Sequence, residues 1–114
     1  MNNSNELIDK ITKILDFHKG DKIATVNIRE QSVIADYFVI AQGYTAQQVK
    51  SLADYLEEEL KQCDILHNGL DGYNEGKWIV LDYGDVIVHL FKKEEREYYD
   101  IERLWDNGNN VKFL

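Results

Sequence analysis

Two carboxylates, an imidazole and an indole lie within one short stretch of this chain, and they are its strongest candidates for chemistry. Asp82 and Asp85 flank Tyr83-Gly84, and the apolar runs on either side carry Trp78 and His89. Carboxylate and imidazole groups on one surface can bind a divalent cation or transfer protons. The same groups beside an indole are also typical of the centre and rim of a protein interface.

The spacing of these residues predicts a β-hairpin. Two runs rich in β-branched and aromatic residues flank an Asp-Tyr-Gly-Asp turn, in which Gly84 supplies a positive φ. We take Tyr83-Gly84 as a two-residue loop. The register then pairs Asp82 with Asp85, Val80 with Ile87, and Trp78 with His89.

Alternation along the strands separates two faces of the predicted hairpin. One face is purely aliphatic and therefore requires a core: Ile79, Leu81, Val86, Val88 and Leu90. The other face mixes aromatic, apolar and polar residues: Trp78, Val80, Asp82, Asp85, Ile87, His89 and Phe91. This second face is either a second core layer beneath a helix or the centre of an interface, and composition alone does not choose between them.

Catalytic and metal-binding motifs are weak in this sequence. Asp82 and Asp85 are residue types that close a tight turn, and no third carboxylate is near them in sequence; Asp36 is the only distant acid that could join them, and we favour a structural role for it. Cys63 ends an apolar helical stripe, which favours a buried thiol over a nucleophile. The glycine-punctuated stretch 69–76 lacks the Lys-Ser/Thr of a phosphate loop. We expect no catalysis, no metal site and no cofactor.

Composition excludes several classes of protein. A chain of 114 residues with 44% hydrophobic and 30% charged residues is typical of one soluble globular domain. Its apolar runs have the length of strands, it begins with no signal or transit peptide, and its single cysteine suits a reducing cytosol, so we expect no membrane contact and a cytoplasmic location. The net charge of −8 disfavours general binding to nucleic acid and favours a basic protein partner.

Hydrophobic periodicity predicts the elements in the order α-β-β-α-(β)-β-β-α. Beyond the hairpin, the predicted helices cover 7–18, 45–63 and 94–105, the predicted strands cover 23–28 and 33–41, and 69–76 holds a short strand. In the last helix we expect one apolar side, formed by Tyr98, Ile101, Leu104 and Trp105. This order predicts an α/β (α+β) fold with a mixed sheet of four or five strands flanked by helices. We assign residues 1–106 to a single domain and 107–114 to a flexible C-terminal tail.

Three motifs in this sequence resemble those of the ribosomal silencing factor family, the Iojap-related proteins. The first is Ala35-Asp36-Tyr37-Phe38-Val39-Ile40-Ala41-x-Gly43. The second runs from Trp78 to Phe91 around Asp82-Tyr83-Gly84-Asp85, and the third is Glu95-Arg96-x-Tyr98-Tyr99-x-Ile101-Glu102-x-Leu104-Trp105. They stand in the family's order, and the resemblance runs from about residue 7 to residue 105.

The resemblance implies a translation factor that is not an enzyme. Members of the family bind the large ribosomal subunit through its fourteenth protein, at the surface that meets the small subunit, and block subunit joining when nutrients are scarce. A small acidic domain with an aromatic patch suits docking on a basic ribosomal protein beside ribosomal RNA. The resemblance also implies a nucleotidyltransferase-like architecture, and it leaves open a homodimer of the free protein.

The hairpin is therefore the predicted partner-binding site, with Trp78 at its centre. The residues of this site are Trp78, Val80, Asp82, Tyr83, Asp85 and His89. Two alternatives stay open: a factor that assists maturation of the large subunit, and a nucleotidyl-transfer enzyme with a degenerate site. The enzyme would need a Gly-Ser loop and paired aspartates on one strand, whereas Gly43 is followed by tyrosine and the two aspartates straddle a turn.

Overall fold

A six-stranded mixed sheet forms the centre of the fold in the residues that the structure, a computed structural model, describes (4–114). The strands are β1 (Asp21–Asn27), β2 (Tyr37–Gly43), β3 (Gly69–Asp71), β4 (Trp78–Asp82), β5 (Val86–Lys92) and β6 (Val111–Phe113). Their spatial order is β3-β4-β5-β2-β1-β6; β2 and β5 are parallel and the other pairs are antiparallel. The predicted α+β class with a mixed sheet is confirmed, but the predicted number of four or five strands is wrong.

Two long helices, α1 (Ser4–Phe17) and α2 (Ala46–Gln62), pack on one face of the sheet. Helix α2 begins where the sequence predicts, because the hydroxyl of Thr45 accepts a hydrogen bond from the backbone N–H of Gln48. Its apolar stripe is buried as far as Leu60. Cys63 lies beyond that stripe and is exposed, so the predicted buried thiol is wrong.

The aliphatic face of the hairpin is buried against these helices, as predicted. Its five side chains have no exposed surface: Ile79, Leu81, Val86, Val88 and Leu90. They join the apolar sides of α1 and α2 in the larger of two hydrophobic cores. The assignment of faces from period-two alternation is therefore confirmed.

The register of the hairpin differs from the prediction by two residues. The observed pairs are Asp82 with Ile87, Val80 with His89, and Trp78 with Phe91. The N–H of Tyr83 donates to the carbonyl of Val86 at 2.9 Å, so that Gly84, with a φ of 85°, and Asp85 form the loop. A shift of two residues moves no side chain to the other face, and alternation along the sequence therefore could not detect it.

The C-terminal helical segment is broken into α3 (Lys93–Tyr99) and α4 (Ile101–Trp105) by Asp100, whose φ of 45° is left-handed. A buried arginine explains the break. The guanidinium of Arg96 donates two hydrogen bonds to the carboxylate of Glu102, at 2.8 and 3.0 Å, and another to the carbonyl of Lys22. The chain must reverse after α3 to bring Glu102 over this guanidinium.

The predicted apolar side of this segment is wrong. Tyr98 is 81% exposed and Leu104 is 76% exposed, while Ile101 is buried and Trp105 is half-buried. Ile101 and Trp105 contribute to a second, smaller core on the other face of the sheet, which also includes Phe38 and Phe91.

Strand β6 lies within 107–114, the range that the sequence analysis assigned to a flexible tail. It pairs with β1, Val111 opposite Val26 and Phe113 opposite Ala24. The side chain of Asn110 fixes the segment before β6 beside β1, because it donates to the carbonyls of Asn27 and Trp105 at 2.8 Å each. The pattern of a polar, Gly/Asn-rich end did not indicate this strand. None of the helices in residues 4–114 is long and apolar enough to cross a membrane.

Candidate partner-binding surface

The second face of the hairpin is filled at one end and open at the other. Phe91 has no exposed surface and His89 is 8% exposed, so this end is a core layer beneath the C-terminal helices. Trp78, Val80 and Ile87 stay half-buried. One end of this face is therefore a core layer, and the other end is open to solvent.

Trp78 is held in one orientation by three aromatic neighbours. Its ring stacks on Phe91, the residue opposite it in the register, with centroids 4.8 Å apart, and it contacts Tyr99 at the same distance. Its indole nitrogen donates a hydrogen bond to Nδ1 of His89 at 3.1 Å. A half-exposed indole that is already fixed in this way loses little side-chain entropy when a partner covers it.

His89 lies beneath this surface as a neutral ring. An indole N–H can only donate, so Nδ1 of His89 must accept and the neutral ring carries its proton on Nε2. Burial lowers the pKa of His89 from 6.5 to about 4. The structure thus places His89 as a positioning residue for Trp78, with the edge of Phe38 packed against it at 4.5 Å between centroids.

The two aspartates of the turn have different surroundings. The carboxylate of Asp82 accepts a hydrogen bond from the N–H of Gly84 at 2.8 Å, which is the predicted turn-closing role. The side chain of Asp85 is exposed, while its backbone carbonyl accepts from the N–H of Asp36 at 2.8 Å. The carboxylate of Asp36 lies 3.6 Å from the guanidinium of Arg29. Asp36 is therefore paired with Arg29 and does not form a shared site with Asp82 and Asp85.

Tyr83 does not lie with Trp78. Its ring extends the aliphatic face, is 9% exposed, and contacts the edge of His67 at 6.1 Å between centroids. Burial raises the pKa of Tyr83 to about 12, with the charge of Glu57 contributing. Tyr83 pairs with Val86, so its side chain continues the series of Ile79 and Leu81 and lies on the opposite face of the hairpin from Trp78.

Two tyrosines complete the open surface, and the sequence analysis missed them as part of this site. Tyr99 contacts Trp78, and Tyr98 contacts Tyr99 edge-on with centroids 4.9 Å apart. Tyr98 is 81% and Tyr99 45% exposed. Consecutive helical residues point to different sides, so the Tyr-Tyr pair in a charged helix was a signal that at least one ring is exposed.

We call this patch the aromatic surface; its residues are Trp78, Val80, Ile87, Tyr98 and Tyr99. A patch of aromatic rings beside a charged group, here Asp82 opposite Ile87, is typical of a protein-binding site. In the described part of the chain, no group of three or more His, Cys, Asp or Glu side chains could hold a metal ion. The exposed rings provide aromatic area for contact with another macromolecule.

Known proteins resemble this chain over most of its length. The family model described as "Ribosomal silencing factor during starvation" matches residues 1–113. A relative from Halalkalibacterium halodurans named Ribosomal silencing factor RsfS is 35% identical over 106 residues, which cover 93% of this chain and 91% of the relative.

The fold is shared with a solved structure. A crystal structure of a Chromobacterium violaceum protein superposes with a TM-score of 0.88 at 31% identity, covering 91% of this chain and 87% of that one. A more distant relative from Mus musculus, named Mitochondrial assembly of ribosomal large subunit protein 1, is 26% identical over 101 residues, covering 86% of this chain and 44% of the relative.

Proposed function

Because the chain belongs to the ribosomal silencing factor family, we propose that it represses translation by binding the large ribosomal subunit. In this proposal it docks on the fourteenth protein of that subunit and blocks association with the small subunit. The family's description, with its reference to starvation, supports nutrient limitation as the condition for repression. Steric occupation of the joining surface is sufficient for such repression, so no catalytic step is required.

The observation that carries the proposal is the series of ring contacts from the half-exposed Trp78 through Tyr99 to the exposed Tyr98. Large aromatic rings dominate the binding energy of protein interfaces, and here Trp78 is oriented before any partner arrives. The chain as a whole is acidic, with 21 acidic residues against 13 basic ones. That charge supports a basic partner such as a ribosomal protein, whose approach it would steer.

Contact with neighbouring ribosomal RNA is a further part of the proposal. Lys92 and Lys93 are the only adjacent pair of basic residues close to the aromatic surface in sequence. Each lies near a glutamate, Lys92 at 3.6 Å from Glu94 and Lys93 at 3.3 Å from Glu97. Binding to RNA would need these partly exposed pairs to open. We place the activity in the cytoplasm, where subunits join, and a homodimer of the free protein remains part of the proposal.

Co-sedimentation with purified ribosomal subunits tests the proposal. The chain should pellet with large subunits, not with small subunits, and preincubation with it should reduce the yield of joined ribosomes when small subunits are added. Pelleting with small subunits alone, or no effect on joining at saturating occupancy, would refute it. Addition of the isolated fourteenth protein should compete with the large subunit for the chain.

A second candidate function is assistance in assembly of the large subunit. The name of the mouse relative favours it, because that protein is described as acting in assembly. The two functions differ in the particle that is bound. Selective pelleting with precursor particles, without binding to mature large subunits, would favour assembly over repression.

A further inference from the structure

An open acidic groove lies on the α2 side of the sheet, away from the aromatic surface. Its volume is about 560 Å³, and its lining includes Asp54, Glu57, Glu58, Leu66, His67 and Tyr83. Three of these side chains are carboxylates, and Lys61 is the only lysine or arginine among the lining residues. The groove therefore has the charge of a site for a cation.

Two polar atoms at this groove are buried and have no hydrogen-bond partner. One is the hydroxyl of Tyr83, a side chain that is 9% exposed, and the other is Nδ1 of His67. The second nitrogen of His67 lies 2.5 Å from the carboxylate of Glu57. Tyr83 lines the groove, and buried polar groups in folded proteins almost always have a partner, so its unpartnered hydroxyl indicates a ligand that supplies one.

The chemistry of the lining residues limits the classes of ligand that can bind in the groove. The described residues contain no cluster of three metal-ligating side chains, which disfavours a metal ion, and the carboxylates exclude an anion. A guanidinium is planar and has five N–H donors, so it can bond to several separate acceptors at once. A lysine ammonium is a compact point charge with a stronger hydration shell. It is therefore less suited to bonding with a hydroxyl and two separate carboxylates at once.

We propose that this groove binds an arginine side chain of a basic protein segment, with its guanidinium donating to the hydroxyl of Tyr83 and to the carboxylates of Glu57 and Glu58. The site would give the chain a second point of contact on the opposite side of the sheet from Trp78. It does not depend on the aromatic surface, and it goes beyond the proposed function because it assigns a recognition chemistry to a separate site.

Tyr83→Phe is the most informative variant for this site. It keeps the ring that packs beside His67 and removes only the hydroxyl, which has no partner in the free protein. The thermal stability of the free protein should therefore be unchanged or raised. A loss of ligand binding in this variant would then report the hydroxyl itself and not a change in the fold.

The probe is the peptide acetyl-Gly-Arg-Gly-amide, titrated into the full chain and followed by ¹H–¹⁵N chemical shifts. We expect saturable shifts at the amides of Glu57, His67 and Tyr83. Tyr83→Phe and Glu57→Gln should each weaken the peptide about tenfold, the loss typical of a hydrogen bond to a charged group. Glu30→Gln removes the same charge from an exposed loop outside the groove and should bind the peptide like the parent chain.

Three outcomes would overturn the proposal. They are the absence of saturable shifts at the groove, equal binding of the matched glutamine or lysine peptide, and unchanged affinity in Tyr83→Phe. Because the titration uses the isolated chain and a peptide, its failure would leave binding to the large subunit unaffected. Failure of co-sedimentation would equally leave the peptide result standing.

Discussion

The indole nitrogen of Trp78 donates to Nδ1 of His89 at 3.1 Å, and this bond links a half-exposed ring to a buried one. Nδ1 can accept only while the ring of His89 is neutral. The orientation of Trp78 therefore depends on the protonation state of His89. Trp78 of the aromatic surface is thus held by His89, which packs against Phe38 of the second core.

Lowering the pH should destabilise the fold through His89. Burial lowers the pKa of His89 from 6.5 to about 4. Between those values the unfolded chain binds a proton that the folded chain excludes, so stability falls as the pH drops through this window and is unaffected by His89 above it. A shift of this size corresponds to a loss of about 3 kcal/mol. Urea unfolding at several pH values between 7 and 4 measures it.

The control for this prediction is His89→Gln, which retains an acceptor for the indole N–H and does not titrate. Its stability should fall less steeply over the same pH range. The ring resonances of His89 provide a direct measurement and should titrate with a midpoint near pH 4. A midpoint near 6.5 would show that the burial of this ring does not control its charge.

Tyr98→Ala should weaken binding to the large subunit without unfolding the chain. The ring of Tyr98 is 81% exposed, so its removal should change the free energy of unfolding by no more than about 0.5 kcal/mol. Loss of an aromatic contact at an interface should lower the affinity about tenfold. Phe17→Ala is the matched control, because Phe17 is 78% exposed on α1. Equal affinities of the two variants would place the interface elsewhere.

The parts of the site that follow from strand periodicity could be predicted from the sequence. The alternation of Ile79 and Leu81 with Trp78 and Val80 depends only on the pleat of a strand, so both faces were assigned correctly. The register depends on which residue enters the turn. Tyr83 is drawn into the larger core and pairs with Val86, and that packing against α2 has no local signal in the sequence.

The surface around Tyr98 could not be predicted because a distant polar network sets it. Arg96 is buried and bonds both Glu102 and the carbonyl of Lys22, which is 74 residues away in sequence. An arginine in a charged helix is usually exposed. The sequence therefore indicated one amphipathic helix, whereas this buried charge breaks the helix at Asp100 and directs Tyr98 outward.

Arg96→Met should strongly destabilise the fold. The side chains of Arg96 and Glu102 are 6% and 16% exposed, so removal of the guanidinium leaves a largely buried carboxylate without its counter-charge. The expected loss is about 3 kcal/mol, measured by urea unfolding. Arg96→Met combined with Glu102→Gln should recover part of that loss, since the uncompensated charge is gone. A single variant as stable as the parent chain would contradict the structural role of this pair.

Asp85→Asn should slow association with the large subunit and reduce its dependence on salt. The carboxylate of Asp85 is exposed in the turn of the hairpin, and charges at the rim of an interface act mainly on the rate of association. Stopped-flow rates at low and high ionic strength measure the effect. Asp16→Asn, an equal charge change on an exposed position of α1, should alter the rate less. Asp82 is less suitable because it closes the turn.

Magnesium and nucleoside triphosphates should give no saturable heat at micromolar concentrations. The carboxylate of Asp82 is engaged by the N–H of Gly84, and residues 4–114 contain no group of three metal-ligating side chains. Isothermal titration calorimetry measures this directly. A magnesium-dependent isotherm that Asp85→Ala abolishes would support a nucleotidyl-transfer enzyme instead.

Trp78→Ala should abolish co-sedimentation with the large subunit. Truncation of a tryptophan at the centre of an interface costs about 2 kcal/mol or more, a loss of roughly thirtyfold in affinity. Here the change also removes the ring that contacts Tyr99, so it should disturb the whole aromatic surface.

Trp78→Phe tests the contribution of the aromatic ring separately from that of the indole hydrogen bond. A phenyl ring can still stack on Phe91 and contact Tyr99, but Nδ1 of His89 loses its donor. This variant should bind with an affinity between those of the parent chain and Trp78→Ala, because the ring stays and its fixed orientation is lost. Both variants must first show cooperative thermal unfolding. If Trp78→Ala folds and still pellets normally with large subunits, Trp78 is a core residue and the partner binds elsewhere.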